Sequence, residues 1–189
     1  MEYTDGYLQG HFLIAAPGIA DERFEGALLY VYRHDITGAA ALVINKPSEH
    51  IDFCELCEQL SITPHNDAMT TTLFEGGPVE GNRGYVLHTD EFVGRDTQKI
   101  DGTNLSLTTT VDIIKRIATG NAPEKYLIAL GCALWEAGQL DAEMTRHGWL
   151  YAKADMDILF DMPHAKKWNK ALDGLGLNMS GLAQYTGRA

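Results

Sequence analysis

Cysteine is scarce in this chain and odd in number: Cys54, Cys57 and Cys132 leave one sulfur over from any disulfide framework, as suits a reducing compartment. Long apolar runs are missing as well. Nothing approaches the ~18 consecutive apolar residues of a membrane span. The run at 12–16, behind an acidic start, is too short for the hydrophobic region of a signal peptide. Together these absences lead us to expect a cytoplasmic protein. Positive charge is thin too: 15 Lys and Arg face 26 Asp and Glu, a formal net charge of −11. No basic run exceeds two residues, and the densest cluster is the short "HAKKWNK" at 164–170. Direct nucleic-acid binding is therefore not expected, because that affinity comes mainly from Lys and Arg displacing counterions.

Metal-ligand spacing is also lacking. The seven histidines (His11, His34, His50, His65, His88, His147 and His164) form no HxH or HExxH pair, and Cys54-x-x-Cys57 has no second pair to complete a zinc site. We expect neither a metal nor a cofactor. The glycine-rich "EGGPVEGNRG" at 75–84 lacks the GxxxxGK[ST] phosphate-loop pattern and opens no helix, so turn chemistry explains it best. Repeats, linkers and low-complexity tracts are absent, and residues 1–189 are read as one domain.

What is present is a mixture of short strands and amphipathic helices. "HFLIAAP" (11–17), "ALLYVYRH" (27–34) and "AAALVIN" (39–45) read as strands. The last two are joined by "DITG", which predicts an antiparallel hairpin. "IDFCELCEQL" (51–60) places Phe53, Cys54, Leu56, Cys57 and Leu60 on one helical face. "TTLFEGG" and "GYVLH" read as strands whose short link favours antiparallel pairing. "TTTVDIIKRIATG" (108–120) reads as a helix with Thr109 and Asp112 in a capping-box arrangement and Val111, Ile114, Ile117 and Ala118 as its stripe. A strand at 126–131 then leads to a helix from about Trp135 to His147, ended by Gly148. "WLYAKA" and "DILF" read as extended, and Pro163 opens a last helix through Leu172. Irregular mixing of strands and helices favours α+β over a doubly wound sheet.

"YLIALGCALWEAGQL" (126–140) looks most like chemistry. Gly131 and Cys132 stand where a strand would turn into a helix, and a helix N-terminus favours thiolate. A nucleophile elbow needs small residues on both sides, however, and Leu134 fills the second flank. Buried packing is the preferred reading of Cys132, and of Cys54 and Cys57. His88 closes an apolar strand and is the histidine best placed to face a cleft. Asp21, Glu22, Glu136, Asp141 and Glu143 supply carboxylates, but an acid–base pair must be recognised by separation in space.

Four stretches together, 8–47, 74–90, 128–150 and 158–161 followed by 166–180, resemble the YqgE/AlgH family of bacterial proteins. Order and spacing carry the resemblance more than any single piece. It implies one cytosolic domain of α+β architecture, with a bifurcated, mostly antiparallel sheet, a small closed barrel portion and surrounding helices. It implies no settled activity; one member lent the family the label of a regulator of alginate-biosynthesis transcription, which fits poorly with the net charge. Family-typical positions here are Asn45 and Pro47, Gly76-Gly77-Pro78-Val79, Leu87-His88, Trp135 and Gly138-Gln139-Leu140. The resemblance implies that a shared pocket would be lined by Asn45, Gly76, Gly77, His88, Trp135 and Gln139. Departures from the family pattern are Cys132 for tyrosine, Leu134 and Glu136 for small residues, and Asp141 for glutamate. The first speaks against a nucleophile; the others alter any pocket formed at Trp135.

The expected function is a regulatory or adaptor domain that binds a protein or small-molecule ligand without catalysis. The alternatives are a hydrolase or transferase using His88 or Cys132, and a transcriptional regulator acting indirectly or by weak DNA binding.

Overall fold

Four helices and nine strands, with short 3-10 and π-helical turns, make up residues 6–146 and 148–176, the residues described from a computed structural model. The strands are β1 (His11–Ala15), β2 (Leu28–Asp35), β3 (Gly38–Val43), β4 (Leu73–Glu75), β5 (Val79–Thr89), β6 (Gln98–Lys99), β7 (Leu105–Thr108), β8 (Tyr126–Glu136) and β9 (Trp149–Lys153). The helices are α1 (Phe53–Gln59), α2 (Val111–Ala118), α3 (Gln139–Thr145) and α4 (His164–Gly174). One mixed sheet runs in the order β6-β7-β5-β8-β3-β2-β1-β9, with β4 attached to β8. Every pairing is antiparallel except β4 with β8. The sheet curls into a half-barrel surrounded by helices, the α+β class expected.

The strands at 11–15, 28–35 and 38–43 read as continuous apolar runs because both of their faces are covered. Phe12, Ile14, Leu28, Tyr30 and Leu42 point into one core with Leu127, Leu159 and Leu172. Their neighbours Leu13, Leu29, Val31, Ala41 and Val43 point the other way, into a second core closed by Phe24, Trp135, Leu140 and Trp149. A third core seats α1 and α2 on β5 and β8 through Phe53, Cys57, Val86, Ile113, Ile117 and Ile128. The predicted hairpin forms, with Asp35 opposite Gly38 and the Asp35 carboxylate accepting from Thr37 N at 2.7 Å.

The sheet bifurcates at β8. Its first half, Ile128–Leu130, pairs with β4, and its second half, Ala133–Glu136, pairs with β3 on that same side. β5 follows the opposite side, from Tyr126 to Cys132. The chain therefore crosses β8 between β4 and β5, so these two strands do not make the predicted hairpin. Gly76 and Gly77 permit the crossing. A Cβ on Gly76 would sit 2.2 Å from the Gly131 carbonyl oxygen, and one on Gly77 would sit 2.3 Å from the Cys132 carbonyl carbon. Such separations are impossible, so both positions require glycine.

Several other boundaries differ from the sequence reading. β8 does not stop at residue 131: Ala133 to Glu136 stay paired with the small residues of β3, so the strand runs through Cys132. α3 accordingly begins at Gln139, after a left-handed Gly138. Its predicted end, His147, lies outside the described residues, as do the last residues of the family-like stretch at 166–180. Residues 157–161 form a π-helical turn instead of a strand. α2 is capped by Thr110 without a side-chain bond, and β7 occupies the residues just before it. Ile113 is buried in α2, whereas Val111 is 40% exposed. The capping box belongs to α1, where Asp52 accepts from Glu55 N and Glu55 accepts from Asp52 N.

Candidate functional site

A cleft of about 540 Å³ opens where the end of β8, α3 and the start of β9 meet the loop after β1. Its floor is aromatic. Phe24 stacks on Trp135 with ring centroids 6.4 Å apart, and both meet Trp149 edge-on at 5.2 and 6.0 Å. Pro17, Ile19, Pro78 and Leu134 form apolar walls. Leu134 is 42% exposed and turns its apolar side chain to the cleft wall.

Glu143 organises the polar side. Its Oε2 accepts from both indoles, Trp135 Nε1 at 2.9 Å and Trp149 Nε1 at 3.0 Å. Its Oε1 accepts from Gln139 Nε2 at 3.0 Å, and Gln139 Oε1 accepts from Glu136 N at 3.0 Å. This chain of bonds ties β8, α3 and β9 into one rigid wall. Gly138 makes it possible: its φ of 71° turns the chain sharply from β8 into α3, setting Gln139 and Glu143 one helical turn apart. Across the cleft Asp21 is held by Arg23, with Nε to Oδ1 at 2.9 Å and an NH to Oδ2 at 2.7 Å. That guanidinium keeps the Asp21 carboxyl below its ordinary range. Both cleft carboxylates are thus engaged. Arg146 also lines the cleft, and no carboxylate among the described residues lies within ion-pair distance of it.

The residues expected to share one pocket separate into different places. Trp135 and Gln139 come together here, beside Pro78 and Val79. Gly77 lines another hollow of about 560 Å³, with His50, Glu75 and Asn82, and Gly76 is buried in the β8 crossing. Asn45 is a staple: its Oδ1 accepts from Leu28 N at 2.8 Å and its Nδ2 donates to Gly26 O at 2.9 Å. His88 is fully buried, with Nδ1 2.7 Å from Thr89 O and Nε2 2.8 Å from Thr108 Oγ1. Burial holds its imidazolium below the ordinary range. A period-two strand cannot aim both Leu87 and His88 at one face, and at residues 85–88 both faces of β5 are covered. His88 therefore looks into the protein and faces no cleft.

Cys132 is fully buried in mid-strand, with Sγ 3.4 Å from the Tyr85 hydroxyl. Tyr85 in turn donates to Glu80, and Tyr32 packs 6.2 Å from the Tyr85 ring. Burial raises both phenols far above their usual range, with the neighbouring sulfur adding to it. The thiol thus meets hydroxyls and no imidazole. Cys57 is buried, and Cys54 is half-buried on the rim of α1. Among the described residues no three His, Cys, Asp or Glu side chains gather to hold a metal ion, and no helix is long and apolar enough to cross a membrane. Phe24, Trp149, Arg146 and the clamping role of Glu143 escaped the sequence reading: Phe24 is remote from the other three in the chain, and Glu143, Arg146 and Trp149, though within seven residues, lie in α3, at its end and in β9, which only the fold turns toward one cleft. The Trp135–Glu143 spacing across a helix start was the one available signal.

A mainly antiparallel half-barrel, split at β8 and ringed by helices, defines an α+β protein of an architecture found among bacterial proteins. The chain belongs to the AlgH-like family (DUF179), whose model matches residues 12–180. It is 39% identical to a UPF0301 protein of Rhodospirillum rubrum over 100% of this chain and 98% of that protein. It is 40% identical to a UPF0301 protein of Pseudomonas entomophila, covering 99% and 98%. The solution structure of the AlgH protein from Pseudomonas aeruginosa superposes with a TM-score of 0.80 at 39% identity, covering 100% of this chain and 98% of that one. The crystal structure of a Corynebacterium diphtheriae protein shares the fold at a TM-score of 0.71 and 17% identity, covering 92% and 90%.

Proposed function

We propose that this protein is a cytoplasmic ligand-binding regulatory module, and that the Trp135–Trp149 cleft receives a small planar molecule carrying an anionic group, without transforming it. The observation that carries this reading is the donor-saturated Glu143. A carboxylate already accepting three N–H bonds is poorly disposed to take a proton from a substrate, but it fixes two indoles in place for recognition. The volume falls within the ~300–1,000 Å³ typical of small-molecule sites. The apolar walls suit a flat ring, and Arg146 offers a guanidinium to a carboxylate or phosphate.

A thermal-shift screen of small aromatic carboxylates and phosphates tests this. Compounds that stabilise the wild type are expected to lose most of their effect on Arg146→Ala and on Leu134→Asp, neither of which touches the Glu143 clamp. Stabilisation that survives both substitutions would place the ligand elsewhere, and a substrate consumed during the assay would contradict the absence of catalysis.

A further inference from the structure

Lys167 is 2% exposed, and it is the one lysine or arginine buried among the described residues. Lysines are almost never buried to this degree unless paired. Here no carboxylate of a described residue comes within ion-pair distance; Asp161, the nearest source of negative charge, is bonded by Lys125. The Nζ donates to the Leu159 carbonyl oxygen at 2.7 Å, in the π-helical turn, and stands 5.4 Å from the centre of the Phe74 ring. Lys167 also forms part of the wall of a cavity of about 350 Å³, which shares no lining residue with the tryptophan cleft. Tyr126, Asp161 and His164 line that cavity with it, among the apolar Leu127, Leu159 and Met162.

We propose that Lys167 is the reactive amine of a second site, which takes a small neutral aldehyde or ketone as an imine. Burial pushes the ammonium down to about 8, with Asp161 opposing the change. Near pH 7.5 roughly a quarter of such an amine is uncharged, against roughly one part in a thousand for an ordinary lysine. The Nζ lone pair attacks the carbonyl carbon, and the carbonyl oxygen takes up a proton. The resulting carbinolamine then loses its hydroxyl with a second proton as water, and the C=N bond forms. The two hydrogens leaving nitrogen are those of the water released, so nothing is oxidised or reduced. Asp161 and His164 line the same cavity and supply it with groups able to relay the protons. The Asp161 carboxylate disfavours an anionic substrate, which is why the expected partner is neutral.

The test is reductive trapping of the full chain with propanal and cyanoborohydride near pH 7.5, followed by peptide mapping of the propylated lysines. Lys167 is expected to react about tenfold faster than Lys166 and Lys170, which are exposed on the same helix. That preference is expected to shrink to about twofold or less near pH 10.5, where Lys167 is neutral and ordinary lysines are about half neutral. Lys167→Met should remove this adduct alone, with rates at Lys166 and Lys170 unchanged. Modification of Lys167 no faster than its exposed neighbours, or an equal preference at both pH values, overturns the proposal, and the wild-type ratios decide it even if the variant fails to fold.

Discussion

Replacing Glu143 by alanine removes the acceptor shared by two indole N–H groups and the Gln139 amide. Trp135 and Trp149 are 6% and 4% exposed, so their donors have little access to replacement water. Each buried donor left without a partner costs about 1–3 kcal/mol. The cleft admits some solvent, so the low end of that range, about 1–1.5 kcal/mol, applies to each, and two donors give a loss of about 2–3 kcal/mol. For a domain of this size that is a fall of about 4–12 °C in Tm. Glu143→Gln keeps an oxygen in place and exchanges a charge-assisted bond for a neutral one, so it is expected to lose only about 1 kcal/mol. Chemical denaturation of the three proteins, followed by tryptophan fluorescence, measures both values. A Glu143→Ala protein as stable as the wild type, or a Glu143→Gln protein as damaged as the alanine variant, would refute the clamp.

Three further outcomes follow from the geometry. Gly76→Ala places a Cβ 2.2 Å from a backbone oxygen and is expected to lose about 3 kcal/mol or more, whereas Gly81→Ala, with open space around it, should be close to neutral; urea midpoints compare them. Because burial lowers the folded His88 below its ordinary 6.5, its contribution to stability is intact above that value and is lost as pH falls through it. Between pH 7.5 and 5, His88→Gln should therefore lose less stability than wild type, by up to about 1.4 kcal/mol for each unit of lowering; an equal loss in both would contradict the assignment. Iodoacetamide should alkylate half-buried Cys54 first and reach Cys57 and Cys132 only on unfolding; mass mapping of a native sample that finds Cys132 labelled early would reverse the packing assignment.

Local pattern carried the β2–β3 hairpin, α1, α2 and the α+β class, because each depends on residues near one another in the chain. Where β8 ends could not be read that way. Gly131 and Cys132 look like a strand terminus until β3 is known to continue the ladder beyond them. The crossing of β8 by Gly76 and Gly77 was equally hidden, since a short glycine-rich link between two strands looks the same whether they pair or straddle a third. The site divided along similar lines. Trp135 and Gln139 lie four residues apart around one turn and do share a cleft, whereas Asn45 and His88 satisfy backbone and threonine partners that only the folded sheet brings near. Lys167 was hidden within a charge cluster; its burial arises from Phe74 and the π-helical turn, neither of which is adjacent in sequence.

The tryptophan cleft is where the ligand is predicted to bind. Indole N–H resonances report on it directly, because the chain has three tryptophans and Trp168, bonded to the Ala15 carbonyl at 3.0 Å, lies outside the cleft as an internal reference. On titration with a stabilising aromatic carboxylate from the screen, the Trp135 and Trp149 indole signals are predicted to shift together while Trp168 stays fixed. Shifts confined to Trp168, or a bound ligand that leaves all three indoles unmoved, would contradict it.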